Sequence, residues 1–313
     1  MKTPEDAASP VAVVTGATGY VGSHLARALA RGGWRVYAVV RAASAARARG
    51  SLGGDVRVLA HDGSTAQLVS LLAPEARRAA VVFHLASYFA AEHNPEDVVA
   101  LVDSNVRFGA QVLEAMGRNG LRKFVSAGTG WQNYEGRAGS PVCLYAATKS
   151  AFDAVLRYYV EALAFQAITL TLFDVYGPAD PRPKLFTLLR RAVEAADPLP
   201  MSPGEQLLDL VYVDDAVAAF VAAGARLLQA SAGDALQETY TVSSGRHARL
   251  REVVATYAAV TGDTPRIRWG GRPYRQREVM VPWAGGMELP GWQARVPLEE
   301  GIRRMHHDMA GKP

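Results

Sequence analysis

Apolar residues recur along this chain in two alternating rhythms. Short β-branched runs at 11–15, 35–40, 56–60 and 80–85 read as strands. Between the first two, residues 21–31 place Val21, Leu25, Ala28 and Leu29 on one face of a helix, and Gly32-Gly33 stop it. The run at 80–85 is nearly continuous, as expected of a strand covered on both sheet faces. A short helix at 67–72, long helices at 98–116 and 145–165, and strands at 123–126 and 168–173 extend the pattern. This repetition predicts an α/β fold on a doubly wound parallel sheet. Beyond 175 the rhythm loosens. Proline- and glycine-rich loops at 176–183 and 198–205 separate helices at 185–195, 215–228, 250–260 and 298–309, with strands at 207–213, 239–242 and 267–269. The expected organisation is a large domain over 1–175, to which 207–243 return, and a small C-terminal substrate lobe from 176–206 and 244–313.

Composition narrows the classes. At 313 residues, with 49% hydrophobic and 20% charged residues, the chain buries a sizeable core and is not disordered. No apolar run approaches the ~18 residues of a membrane span. The first six residues, Met1 to Asp6, are polar and lack a signal-peptide core, so a cytoplasmic location is expected. The single cysteine, Cys143, excludes an internal disulfide and a cysteine metal cluster, and no metal site is expected. The formal charge is +4, mostly from scattered arginine. One local cluster holds Arg266, Arg268, Arg272, Arg275 and Arg277. Without an aromatic–basic platform it suits an anionic small molecule better than nucleic acid. Asp214-Asp215 reads as a helix cap rather than a metal site.

The candidate chemistry begins at Gly16-Ala17-Thr18-Gly19-Tyr20-Val21-Gly22, between the first strand and first helix. Such glycines let the backbone approach a pyrophosphate, which the helix N-terminus then holds. This is the loop of a Rossmann dinucleotide site. At the end of the second strand stands Arg41, where an acid would bind the adenosine ribose of NAD. An arginine pairs with a 2′-phosphate, so NADP(H) is expected, with NAD(H) possible. Tyr145 and Lys149 stack four residues apart on one helical face, and the ammonium is expected to lower the phenol pKa. Thr129, after the fifth strand, offers a hydroxyl for a carbonyl oxygen, with Ser126 as its alternative.

These segments together resemble the extended short-chain dehydrogenase/reductase family, of the NAD-dependent epimerase/dehydratase type. The resemblance also rests on His84-Leu85-Ala86-Ser87, Asn105, Val175-Tyr176-Gly177-Pro178, Tyr212-Val213-Asp214-Asp215, Leu289-Pro290-Gly291-Trp292 and Leu298-Glu299-Glu300-Gly301. The segments Gly130 to Tyr134 and Pro141 to Tyr145 look like CDP-paratose and CDP-abequose synthases, reductases of a nucleotide-linked 4-keto-deoxysugar.

The resemblance implies Thr129, Tyr145 and Lys149 as the catalytic set. It implies cofactor contacts at Gly16, Thr18, Gly19, Tyr20, Val21, Gly22, Arg41, Asp62, Leu85, Ala86, Ser87, Asn105, Tyr145 and Lys149. Two positions depart from the family: Asp174 stands where Asn is frequent, and Leu208 where an arginine is frequent. Substrate contacts are therefore expected from Ser87, Asp174, Arg272, Arg275 and Arg277. Gly130-Trp131 follows Thr129 in place of the Asp-Glu pair of a dehydratase. The expectation is an NADPH-dependent 4-ketoreductase. An NAD-dependent epimerase is the competing enzyme, a natural-product ketone the competing substrate, and a silent dinucleotide sensor the non-enzymatic reading. A homodimer is implied across helices 98–116 and 145–165, with Val155, Leu156, Tyr159 and Leu163 as apolar contacts.

Overall fold

The computed structural model describes residues 9–74, 80–231 and 235–310. The N-terminal segment read for a leader lies outside them. The first strand, β1 (Val11–Thr15), is buried at all five positions. Its residues alternate between two cores: Ala12 and Val14 join one cluster, Val11 and Val13 the other. A strand covered on both faces has no polar side, which is why its pattern is a continuous apolar run.

Seven further strands join β1: β2 (Arg35–Arg41), β3 (Val56–His61), β4 (Ala80–His84), β5 (Lys123–Thr129), β6 (Gln166–Leu172), β10 (Leu236–Val242) and β13 (Met287–Glu288). The order is β13-β10-β6-β5-β4-β1-β2-β3, and every pair is parallel. This is a Rossmann sheet. The chain reverses direction across the sheet between β1 and β4, so the crevice beyond their C-terminal ends is the natural ligand position. Helices α1 (Tyr20–Arg31) and α8 (Val213–Gln229) cover one face. Helices α3 (Thr65–Leu72), α5 (Phe108–Arg118) and α6 (Leu144–Leu163) cover the other.

The structure revises several expected elements. The helix expected at 98–116 is α4 (Asp97–Val102), a π turn over Asp103–Arg107, and then α5. The wider turn contains buried Asn105, and such insertions often mark functional positions. Helix α2 (Ala45–Leu52) was not anticipated, because its alanine–arginine sequence has no apolar period. Strand β9 (Leu207–Tyr212) stays outside the large sheet and pairs with β7 (Asp174–Tyr176) and β11 (His247–Arg249). The loop expected at 198–205 contains β8 (Leu199–Met201), which pairs with β12 (Ile267–Trp269).

Helices α7 (Leu185–Glu194), α9 (Leu250–Thr261) and α10 (Leu298–Ala310) complete this less regular part. Asp215 does not cap α8; the helix starts at Val213, with Tyr212 at the cap position and no side-chain cap bond. Instead its carboxylate accepts the N–H groups of Arg295 and Val296 at 3.0 and 2.8 Å and pins the last segment to the sheet domain. Leu156 and Tyr159 are core residues and Val155 packs against the same core, so they do not supply a dimer face. The exposed large apolar residues of α4 and α6 are Val98, Val99, Val102, Tyr158 and Leu163. No helix among the described residues is long and apolar enough to cross a membrane.

Candidate active site

The crevice floor is built from two loops held together. Leu85 N donates to Thr15 O at 3.2 Å, and the Thr15 hydroxyl lies 2.8 Å from His84 Nδ1. Gly16 has φ +72°, and a Cβ there would stand 2.5 Å from Ala86 N. A Cβ on Gly22 would stand 2.2 Å from Gly16 O. Both positions therefore demand glycine. No side chain caps the N-terminus of α1 and no acid lies in its first turn, so its N–H groups and positive dipole end suit a pyrophosphate. Thr18 and Gly19 are exposed at this mouth, with Val21 partly buried behind them.

Tyr20 is buried. Its hydroxyl lies against Gly177, where a Cβ would be 2.6 Å from it, and the Arg182 guanidinium covers its ring at 5.0 Å. Burial pushes its phenol above the ordinary range. Its side chain packs against the loop after β7. Arg41 is exposed at the end of β2. Asp62, exposed after β3, accepts the Ser64 N–H at 2.7 Å, and its hydrogen bonds from Ser64 hold the carboxyl below the usual range.

Asn105 joins the floor to the reacting helix. Its Oδ1 accepts from the Ser87 hydroxyl at 2.9 Å and Tyr88 N at 2.8 Å. Its Nδ2 donates to Tyr88 O at 3.0 Å and to Thr148 Oγ1 at 2.9 Å. The amide is thus fully engaged by protein, and Asn105 acts as a brace between Ser87-Tyr88 and Thr148 near the start of α6. Thr148 in turn donates to Tyr145 O at 2.7 Å.

Tyr145 faces the Ser87 hydroxyl and the ring of Phe89, whose centroid is 5.0 Å away. Burial pushes its phenol up to about 12, outweighing the Ser87 hydrogen bond and the Arg182 charge that act the other way. The expected lowering by Lys149 is therefore corrected: desolvation wins and the phenol keeps its proton at neutral pH. Burial pushes the Lys149 ammonium down to about 8, against the opposing pull of Asp153. Thr129 closes β5, three residues beyond the expected strand end, and is buried. Its hydroxyl accepts the Trp131 N–H at 3.3 Å. Ser126 pairs with Thr169 Oγ1 at 2.9 Å inside the sheet, so it does not replace Thr129.

Beyond Tyr145 lies an aromatic and cationic rim. Phe89 packs on Trp131 at 5.7 Å, Lys184 Nζ stands 5.0 Å from the Phe89 centroid, and Arg275 lies 5.8 Å over Trp131. Asp174 pairs with Lys184 at 3.2 Å. Arg277 donates to Ser140 Oγ at 2.8 Å and stacks over Tyr134 at 4.2 Å. Arg272 lies elsewhere: it is exposed, and its N–H donates to Met201 O at 3.3 Å beside β8. Phe89 and Lys184 escaped sequence reasoning. They lie in irregular loops, and an exposed aromatic gives no periodic signal.

The model of the NAD dependent epimerase/dehydratase family matches residues 12–237. The chain belongs to that family. It is therefore an NAD(P)-dependent oxidoreductase of the extended short-chain dehydrogenase/reductase class, in a family that modifies nucleotide sugars. A CDP-abequose synthase of Yersinia pseudotuberculosis is 28% identical over 272 residues, covering 86% of this chain and 90% of the relative. A UDP-glucose 4-epimerase of Mycolicibacterium smegmatis is 28% identical, covering 93% of this chain and 96% of the relative. The solved structure of MoeE5 in complex with UDP-glucose and NAD superposes with a TM-score of 0.80 at 26% identity, covering 96% of this chain and 98% of that one.

Proposed function

We propose that this enzyme is an NADPH-dependent reductase of the 4-keto group of a nucleotide-linked deoxysugar, such as a CDP- or dTDP-4-keto-6-deoxyhexose. The observation that carries the reading is Arg41, exposed at the end of β2 where an acid would favour NAD. A guanidinium there suits a 2′-phosphate. An enzyme making net alcohol exchanges its dinucleotide every turnover, and NADPH is the usual reductant for synthesis. The resemblance to CDP-abequose synthase supports the same substrate class.

The residues fit a dinucleotide: the Gly16–Gly22 cradle for its pyrophosphate, Leu85 to Ser87 along the crevice, and Lys149 for the nicotinamide ribose. When bound, the reduced dinucleotide supplies the hydride to the carbonyl carbon. Tyr145 then gives its proton to the carbonyl oxygen, a role suited to a phenol that is protonated at neutral pH. Thr129 holds the same oxygen. Arg275, Arg277 and Lys184 supply positive charge for the diphosphate, in place of the arginine replaced by Leu208. The segments 176–206 and 244–313 form the substrate lobe.

Gly130-Trp131-Gln132 presents no carboxylic acid beside Thr129, so the equipment for dehydration is missing. Epimerisation through a ketone requires the sugar to turn over between two hydride transfers, because the nicotinamide offers one face. The competing reading, an NAD-dependent epimerase, draws on the similarity to UDP-glucose 4-epimerase. The two separate in one assay. A CDP- or dTDP-4-keto-6-deoxyhexose is supplied with NADPH, and the reductase consumes the NADPH in proportion to sugar. Arg41→Asp turns the preference toward NADH by about 10–100-fold in kcat/KM, the worth of one charge-assisted hydrogen bond. If the sugar is untouched while a UDP-hexose is epimerised with no net NADPH loss, the reductase reading fails.

A further inference from the structure

We propose that Gln132 and Asp153 are positioning residues of this site: Asp153 orients the Gln132 amide, which clamps the Thr129 main chain, and places a counter-charge one helical turn from Lys149. This rests on reading Thr129, Tyr145 and Lys149 as the reacting set. The geometry is a continuous chain of bonds. Thr129 N donates to Gln132 Oε1 at 2.9 Å. Gln132 Nε2 donates to Asp153 Oδ2 at 2.6 Å and approaches Ser150 Oγ at 3.4 Å. Gly128 completes the fit, since a Cβ there would stand 3.1 Å from Gln132 Oε1. The last residue of β5 and the third turn of α6 are thus joined by one side chain.

The charges around this link are few. Asp153 interacts with Lys149 and Arg157 on its own helix, and with neutral Gln132 from the turn after β5. Lys149 interacts with Asp153, and its charge acts on the buried, neutral His84 of β4. Burial raises the Asp153 carboxyl, and the Gln132 hydrogen bond followed by the Lys149 and Arg157 charges restrains that rise. A partly buried carboxylate held by an amide, one helical turn from a buried ammonium, carries a desolvation penalty that an apolar residue in the same space would avoid. Its effect is to hold Lys149 in its charged form and to fix the main chain that carries the Thr129 hydroxyl.

The test separates charge from geometry. Asp153→Asn keeps an acceptor for Gln132 and removes the counter-charge. The chain has lysine only at 2, 123, 149, 184 and 312, so NMR of ¹³C-labelled lysine resolves the Lys149 titration directly. The expected result is a midpoint about one pH unit lower than in the parent, with the alkaline limb of kcat moving by the same amount. Gln132→Leu breaks the clamp. It should lower kcat about 10-fold or more, leave the dinucleotide Kd unchanged and speed hydrogen exchange at the Thr129 amide. The double variant Gln132→Glu with Asp153→Asn reverses the donor and acceptor across the same bond and should recover most of the lost kcat. An unchanged Lys149 midpoint in folded Asp153→Asn overturns the counter-charge. An unchanged Thr129 exchange rate in Gln132→Leu overturns the clamp. Both readouts are made without substrate, so they stand apart from the assignment of the reaction.

Discussion

Replacing Gly22 by alanine tests the phosphate cradle with a single methyl group. Its carbon would arrive 2.2 Å from Gly16 O, 2.8 Å from Gly16 C and 3.2 Å from Ala17 Cα, whereas ordinary contact begins at 3.4 Å. All three neighbours are main chain, so no rotamer relieves the clash; the turn or the helix must move by about 1 Å. Gly16 has little freedom of its own, wedged as it is against Leu85 and Ala86. Overpacking of this kind costs about 1–3 kcal/mol in stability. The larger effect falls on the ligand, because the shift misaligns N–H groups whose bonds to a phosphate are worth about 1.5–3 kcal/mol each. Loss of one such bond weakens binding by about 10–100-fold. Gly50→Ala is the control. It lies in α2 with nothing within 4 Å of the added carbon, and should stabilise the chain by up to about 1 kcal/mol. Fluorescence titration with NADPH and NADH, beside a thermal melt, reads both effects. A Gly22→Ala protein that binds either dinucleotide within about twofold of the parent would refute the cradle.

Tyr145→Phe should keep dinucleotide binding and lose about 10²–10⁴-fold in turnover; near-parental rates would remove Tyr145 as the acid. Because Lys149 titrates at about 8 and acts as a cation, parental turnover should decline as pH rises through that value; a rate that climbs instead contradicts the role. His84 is buried and its imidazole is pushed down from 6.5 to about 3, so below 6.5 the unfolded chain binds a proton that the folded chain refuses. Stability should therefore fall by about 1.4 kcal/mol per pH unit between those values, and His84→Gln should flatten that slope in urea denaturation measured against pH. The homodimer expected across 98–116 and 145–165 can be tested at Tyr158, which is 62% exposed on α6. Tyr158→Asp should halve the mass found by light scattering, and a monomeric parent at micromolar concentration would end the idea.

The strand–helix rhythm of the sheet domain was readable in the sequence because it is local. Strand burial shows as a continuous apolar run at Val11–Thr15, helix burial as spaced positions in α1, and neither requires knowledge of distant residues. The glycine loop and the Tyr145–Lys149 pair were readable for the same reason: turn geometry and a helical repeat are set within a few residues. What the tertiary structure decided was every relation between segments far apart. Arg272, Arg275 and Arg277 are equivalent in sequence, yet the latter two reach Trp131 and Tyr134 while the first sits beside β8. Leu156 and Tyr159 suited a dimer face by composition, but the packing of α6 on the sheet buried them. The phenol of Tyr145 runs opposite to the expectation from Lys149, since desolvation depends on everything that encloses the ring. Gln132 and Asp153 are 21 residues apart and share no motif, so only the fold of α6 against β5 brings them together. Periodicity encodes which element a residue joins; which face meets which, and how much water is left there, is set by the assembled chain.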